Sequence, residues 1–210
     1  MSKTFKHLLY SIAFIISILM MIQCSVAEQP KSSPQIPIEK LQAGDIAFRR
    51  GESIASEVVV YNDIDGRYSH VGLVVETDSG KRIVHSVPGE TTTPESIDII
   101  QIDRIEQYFA PKVSVRGEIR RMNLDSVQRK TLNQLALKKI DEKVPFDHNY
   151  DLLDTTKLYC TELIQLLYKN IGIDLAQGRI TPINVPGLSN DYIMPSDIYN
   201  NNNLTTIFIY

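Results

Sequence analysis

Two cysteines occur in the 210 residues, Cys24 and Cys160, and only the second lies inside the body of the chain. Cys24 closes an N-terminal segment that reads as an export signal, so the mature chain keeps one thiol and can form no internal disulfide. A chain without such staples has to hold itself together by burying apolar surface. With 43% hydrophobic and 22% charged residues it has material for one sizeable core and about one domain, which excludes a disordered, collagen-like or disulfide-framework protein.

The N-terminal reading rests on order and length. Lys3 and Lys6 precede the apolar run 8–22, and about fifteen residues at 1.5 Å rise each fall short of a bilayer's hydrocarbon core. A basic start, an apolar run and then Gln23-Cys24-Ser25-Val26-Ala27 form a secretory signal pattern, with Ser25 and Ala27 at the −3 and −1 positions of a cut before Glu28. The competing readings are a lipoprotein cut before Cys24, against which Gln23 is bulky, and a retained anchor. Export to the periplasm or beyond follows from the first two, with membrane attachment only through a lipidated Cys24.

Loss of residues 1–27 removes two of the 22 basic and none of the 25 acidic residues, moving the formal net charge from −3 to −5. No basic field remains to neutralise phosphates, which argues against a nucleic-acid partner. His7 leaves with the signal, so the mature chain holds His70, His85, His148 and the single thiol of Cys160. An unpaired cysteine in a disulfide-permissive compartment is reactive, intermolecular or a small buried hydrophobe.

Residues 28–38 hold three prolines among polar residues and read as a linker, leaving 39–210 as the domain. Within it, 46–48 is a short strand, 52–61 a short helix and 62–67 a turn. Segments 68–76 and 81–87 are strands joined by Thr77-Asp78-Ser79-Gly80, which makes a hairpin. Alternation over 113–120 predicts a half-buried strand. The stretch 125–141, with Val127, Leu132, Leu135 and Ile140 among basic residues, is an amphipathic helix capped by Asp125 or Ser126. A last helix is expected from about 156 to 170, stopped by Gly172, and a short strand closes the chain at 205–210.

On that last helix Cys160, Leu163, Ile164 and Leu167 fall at i, i+3, i+4 and i+7, with the thiol in the first turn after Asp154-Thr155-Thr156. Unpaired N–H groups and the positive end of the helix dipole favour a thiolate there. A nucleophilic cysteine also needs a base and a third polar group to orient it. His70 and His85, on adjacent strands of the hairpin, come roughly opposite one another, though a slip of one residue would separate them. A zinc site from the histidines and Cys160 is conceivable by ligand type, but no H-E-x-x-H or C-x-x-C spacing is present and none is assigned. No cofactor is expected.

Gly44-Asp45-Ile46, Tyr68-Ser69-His70-Val71-Gly72 and Leu158-Tyr159-Cys160-Thr161-Glu162-Leu163 together resemble the permuted papain-like amidases of the YaeF and YiiX group. These are circularly permuted relatives of the NlpC-type cysteine peptidases, and the likeness runs from about 41 to 196. It implies an α+β, papain-like, circularly permuted fold in which an antiparallel sheet packs on the helix carrying the cysteine. It implies Cys160 as nucleophile, His70 as base and then acid, and His85 at the third position, where other members can carry a carboxylate. The Cys160 N–H would serve the oxyanion hole.

Where the group often shows Tyr-Asp about fourteen residues before the cysteine, this chain has Phe146-Asp147, leaving any such hydroxyl role to Tyr150, to backbone or to nothing. Tyr68, Tyr150 and Tyr159 are the candidate substrate contacts. His148 reads as non-catalytic, Asp45 as a tether for the start of the fold, and Glu76 and Glu162 as solvated or capping charges. The expected function is an exported cysteine amidase or peptidase that cleaves an envelope peptide or acyl-amide through a thioester. Lipid acyl chemistry of the lecithin retinol acyltransferase type and an inactive binding module are the alternatives.

Overall fold

The long apolar run in Val71-Gly-Leu-Val-Val does not alternate, and a strand with that pattern has to be covered on both faces. The computed structural model, which describes residues 32–89, 98–185, 187 and 189–210, provides both covers. The expected signal segment with Cys24 and the first residues of the expected linker lie outside the described residues. In chain order the elements are β1 (Ile46–Arg50), α1 (Ile54–Asn62), β2 (His70–Thr77), β3 (Gly80–His85), β4 (Gln101–Arg104), α2 (Ile105–Tyr108), β5 (Arg116–Met122), α3 (Ser126–Asp141), α4 (Cys160–Lys169), β6 (Thr181–Ile183), β7 (Asn190–Tyr192), α5 (Pro195–Tyr199) and β8 (Leu204–Ile209). A 3-10 turn at Ile38–Lys40 precedes them.

Six strands form one sheet in the order β4-β3-β2-β1-β5-β8, every neighbouring pair antiparallel. One face, with Ile46, Phe48, Val71, Leu73, Val75 and Val84, packs on Leu132 and Ala136 of α3 and on Leu163, Ile164 and Leu167 of α4. The other face, with Ala47, Val74, Ile83 and Ile119, is covered by Ile105 and Tyr108 of α2 together with Leu41 and Phe109. The chain is therefore α+β with an antiparallel sheet, as expected. Ile36 and Ile38 pack against this second cluster, so ordered packing begins inside the stretch read as linker.

Helix α3 begins where its cap predicts: Asp125 Oδ1 accepts the Gln128 N–H at 2.8 Å, and Gln128 Oε1 accepts the Asp125 N–H at 3.1 Å. Its buried stripe is Leu132 and Ala136, while Val127 is 72% exposed. Strand β5 starts later than expected and is not half-buried, because Phe109 and Tyr210 crowd one face at Gly117 and Glu118 is sealed on the other. Helix α1 starts at Ile54 behind a Ser53 cap and buries none of its residues.

The largest departure is at α4, which starts at Cys160 and not near 156. Asp154 closes a turn by accepting from the Thr156 N–H and hydroxyl at 3.0 and 2.5 Å, and the Leu158 carbonyl accepts from the Ser86 hydroxyl at 2.6 Å. These bonds hold the approach to the helix off helical geometry until Cys160.

Candidate active site

Cys160 is the first residue of α4, so its own N–H and that of Thr161 have no intrahelical acceptor and point out of the helix end. The preceding N–H, of Tyr159, is met by Glu162 Oε2 at 3.2 Å, the capping role expected of Glu162. Burial pushes the Glu162 carboxyl up to about 8, with Asp147, Asp151 and Asp154 adding to the rise. The N–H of Val71, the residue after His70 on β2, lies close enough to the Cys160 thiol to lower its pKa.

The two histidines meet on the hairpin by a register different from the expected one. β2 and β3 turn at Thr77 opposite Gly80, which places Gly72 opposite His85, and His70 lies two residues before Gly72 on the same face. Glycine is required there: a Cβ on Gly72 would come within 2.5 Å of Ile83 Cγ2 and 3.2 Å of Tyr108 Cε2. The gap lets the His85 ring reach along the strand, and His70 Nε2 lies 3.0 Å from His85 Nδ1. His85 Nε2 lies 3.1 Å from Asp103 Oδ2, on β4. Tyr108 packs against both imidazoles, with ring centroids 5.7 Å from His70 and 5.1 Å from His85, while its hydroxyl donates to the Ala47 carbonyl at 2.9 Å.

Arg49 brings a buried cation to the same place. It faces His70 across β1 and β2, is 4% exposed, donates from Nη1 to the Tyr108 carbonyl at 3.0 Å and lies 4.5 Å over the Tyr108 ring. Burial holds His70 well below the ordinary histidine range, and the charges of Arg49 and His85 lower it further. The hydrogen bond from His85 holds Asp103 below the usual carboxylate range. Burial pushes the Cys160 thiol up to about 11, against the lowering action of the Val71, Thr161 and Cys160 N–H groups and of Arg49. Both shifts favour the uncharged forms, the thiol of Cys160 and the neutral imidazole of His70.

Cys160 and His70 open onto one cavity of about 520 Å³. Its walls are largely apolar, with Val58, Val59, Ile183 and Met194 beside Phe146 and Tyr150, and Lys112 and Glu52 add charge. His85 stands behind His70, outside the wall.

Of the expected substrate contacts, Tyr150 and Tyr159 line the cavity and Tyr68 does not. Tyr68 is a core residue whose hydroxyl donates to Glu118 Oε2 at 2.7 Å. It sits just before β2, and its ring packs with Phe48 and Tyr199. Tyr159 accepts the Ile193 N–H on its hydroxyl at 2.9 Å. Tyr150 adopts a positive φ of 53° and stacks among Phe146, Tyr159 and Tyr192. His148 is exposed and pairs with Asp98 at 3.2 Å, away from the cavity wall. Asp45 is the expected tether, binding Arg121 through both oxygens at 2.7 Å and accepting the Gln42 N–H at 2.8 Å.

Asp103, Arg49 and Tyr108 escape a reading of the sequence. Gln101-Ile102-Asp103-Arg104 is too short to show a strand period, and Arg49 and Asp103 look like ordinary surface charges in the sequence.

No family model matches the chain, and no curated protein matches it. A solved structure described as the metalloprotein yiiX of Escherichia coli O157:H7, DUF1105, is similar in fold, with a TM-score of 0.65 at 19% identity over 80% of this chain and 97% of that one.

Proposed function

We propose that this chain is an exported cysteine hydrolase of papain-like, circularly permuted architecture that cleaves an amide bond through a thioester acyl-enzyme. The observation that carries the reading is the thiol at the start of α4 opening onto one cavity with His70, which is itself hydrogen-bonded to a second imidazole. As the Cys160 sulfur bonds to the amide carbonyl carbon, its proton passes to His70, so no standing thiolate is needed from a thiol that burial holds up. The carbonyl oxygen becomes an oxyanion, served by the N–H groups at the helix start. Collapse breaks the C–N bond, and the leaving amine takes the proton from His70. Water, deprotonated by His70, then attacks the thioester and releases the acid and the thiol.

The apolar cavity walls favour a substrate with an apolar acyl or aromatic group beside the scissile amide, which places an acyl-amide of the envelope ahead of a bare peptide. The similarity to a protein described as a metalloprotein raises a metal reading, and the described residues do not fit one. Among the described residues no group of three or more His, Cys, Asp or Glu is placed to hold a metal ion. The facing nitrogens of His70 and His85 are engaged with each other, and the far nitrogen of His85 with Asp103.

Mass spectrometry of muropeptide and acyl-amide pools after incubation with wild type and Cys160→Ala tests the proposal. Cleavage by the wild type alone, with a thioester trapped on Cys160, is the expected result. Binding without cleavage by either protein would make the chain a binding module, and transfer of the acyl group to another acceptor would make it an acyltransferase.

A further inference from the structure

The two ring nitrogens of His85 have partners of different kinds, and this gives the site a direction. Each hydrogen bond has one proton, so each contact has a donor end and an acceptor end, while a neutral imidazole has one N–H and one bare nitrogen. An ionised carboxylate can only accept. Asp103 sits at the end of the series His70 Nε2, His85 Nδ1, His85 Nε2, Asp103 Oδ2, with separations of 3.0 Å and 3.1 Å across the two contacts.

We infer that Asp103 is a positioning residue that fixes the proton order of both imidazoles and thereby leaves Nδ1 of His70 as the bare, basic atom. The order is built from the carboxylate outward. His85 carries its proton on Nε2 and donates that N–H to Asp103 in a hydrogen bond, so His85 Nδ1 is bare. That atom accepts from His70, which carries its proton on Nε2, and His70 Nδ1 is left with a lone pair. Nδ1 is the ring nitrogen nearer the main chain, and the Cys160 sulfur lies against the N–H of Val71, the next residue along that main chain.

The opposite order disarms the site. With its proton on Nδ1, His85 would donate to His70 Nε2, and His70 would present an N–H at Nδ1 with no lone pair to receive the thiol proton. A doubly protonated His85 has the same effect. The surroundings hold the productive order: β4 pairs Asp103 with Ile83, two residues from His85, and Tyr108 stands nearly perpendicular to the His85 ring at 83° and so limits its rotation. Asp103 stays ionised through its bond to His85, with Arg49 and Lys112 contributing positive charge. The sequence pointed to His85 as the end of the catalytic set, and the carboxylate behind it gives that histidine its orientation.

The inference takes its catalytic meaning from the hydrolase reading, but its test does not depend on turnover. Nitrogen-15 spectra of the imidazoles in the full chain at pH 7, assigned with His70→Asn, His85→Asn and His148→Gln, report which nitrogen carries each proton. The expected pattern is a protonated Nε2 and a bare Nδ1 on both His70 and His85. Asp103→Leu, which removes the acceptor, should abolish that pattern by releasing His85 protons to Nδ1, and Asp103→Glu should keep it. A wild-type spectrum with His85 protonated on Nδ1 or on both nitrogens overturns the inference, and needs no variant to fold. An Asp103→Leu spectrum unchanged from wild type removes the positioning role of Asp103. Cys160→Ala should leave the proton order intact, so failure of the hydrolase reading would show in the substrate assay and not in these spectra.

Discussion

Cys160 sits between opposed influences, and the balance is set by its own helix and by two strands. Burial pushes the thiol up, while N–H groups of α4 and β2 and the cation of Arg49 on β1 pull it down. Arg49 acts on His70 and Asp103 in the same sense. Arg49→Met therefore leaves a higher thiol pKa and a slower alkylation of Cys160 by iodoacetamide at pH 7, and a stability loss of about 1.5–3 kcal/mol through the lost charged bond to the Tyr108 carbonyl. A folded variant alkylated at the wild-type rate would remove Arg49 from the electrostatics of the site. Cys160, His70 and His85 were legible because the chain has only two cysteines and four histidines and each of the three lies in a recognisable segment. Arg49 and Asp103 were not, because a charge in sequence carries no sign of whether a sheet will bury it, as with Arg49, or set it against a histidine, as with Asp103.

At the level of elements, the hairpin of β2 and β3 was readable from its apolar runs and its glycine-ended turn. Its register was not, and the histidines come together across Gly72 and not directly opposite one another. Gly72→Ala tests that geometry. A methyl there meets Ile83 and Tyr108, so the variant should lose about 1–3 kcal/mol in urea unfolding from overpacking. Displacement of Tyr108 should also disturb the His70 and His85 nitrogen signals. Wild-type stability and spectra would mean that the strand accommodates the methyl without moving the rings. Strand β4 is four residues long and gave no periodic signal, yet it supplies Asp103. The start of α4 was displaced for a local reason, since Asp154 and Leu158 spend their hydrogen bonds outside the helix.

Over the whole molecule, Glu118 joins parts of the chain that are distant in sequence. It accepts from Tyr68 at 2.7 Å, from Thr206 of β8 at 2.6 Å and from Tyr199 of α5 at 3.1 Å. Tyr68→Phe should cost about 1.5–3 kcal/mol of stability, as expected for a hydrogen bond to a charged group, and leave iodoacetamide alkylation of Cys160 unchanged. A changed alkylation rate at unchanged stability would return Tyr68 to the site.

Stability against acid is also a property of the whole molecule. The unfolded chain protonates His70 near its ordinary pKa of about 6.5, whereas the folded chain resists until well below it. Between those limits the unfolded state binds more protons, so this contribution is complete above pH 6.5 and is lost as the pH falls. Urea unfolding of wild type and His70→Asn between pH 4.5 and 7.5 should show a shallower acid decline in the variant, and equal slopes would contradict the buried neutral imidazole.

The sequence by itself determined that one thiol lies beyond the first thirty residues, that it falls at a helix start, and that a hairpin carries two histidines. Those are local facts, fixed by residue identity, apolar period and turn chemistry. Only the tertiary structure decided which charges are buried beside the thiol, which tyrosines face the cavity and which belong to the core, and what stands behind His85. Burial and hydrogen-bond partnership depend on strands and helices far apart in the chain closing over one another, and sequence spacing along a single element does not encode that closure.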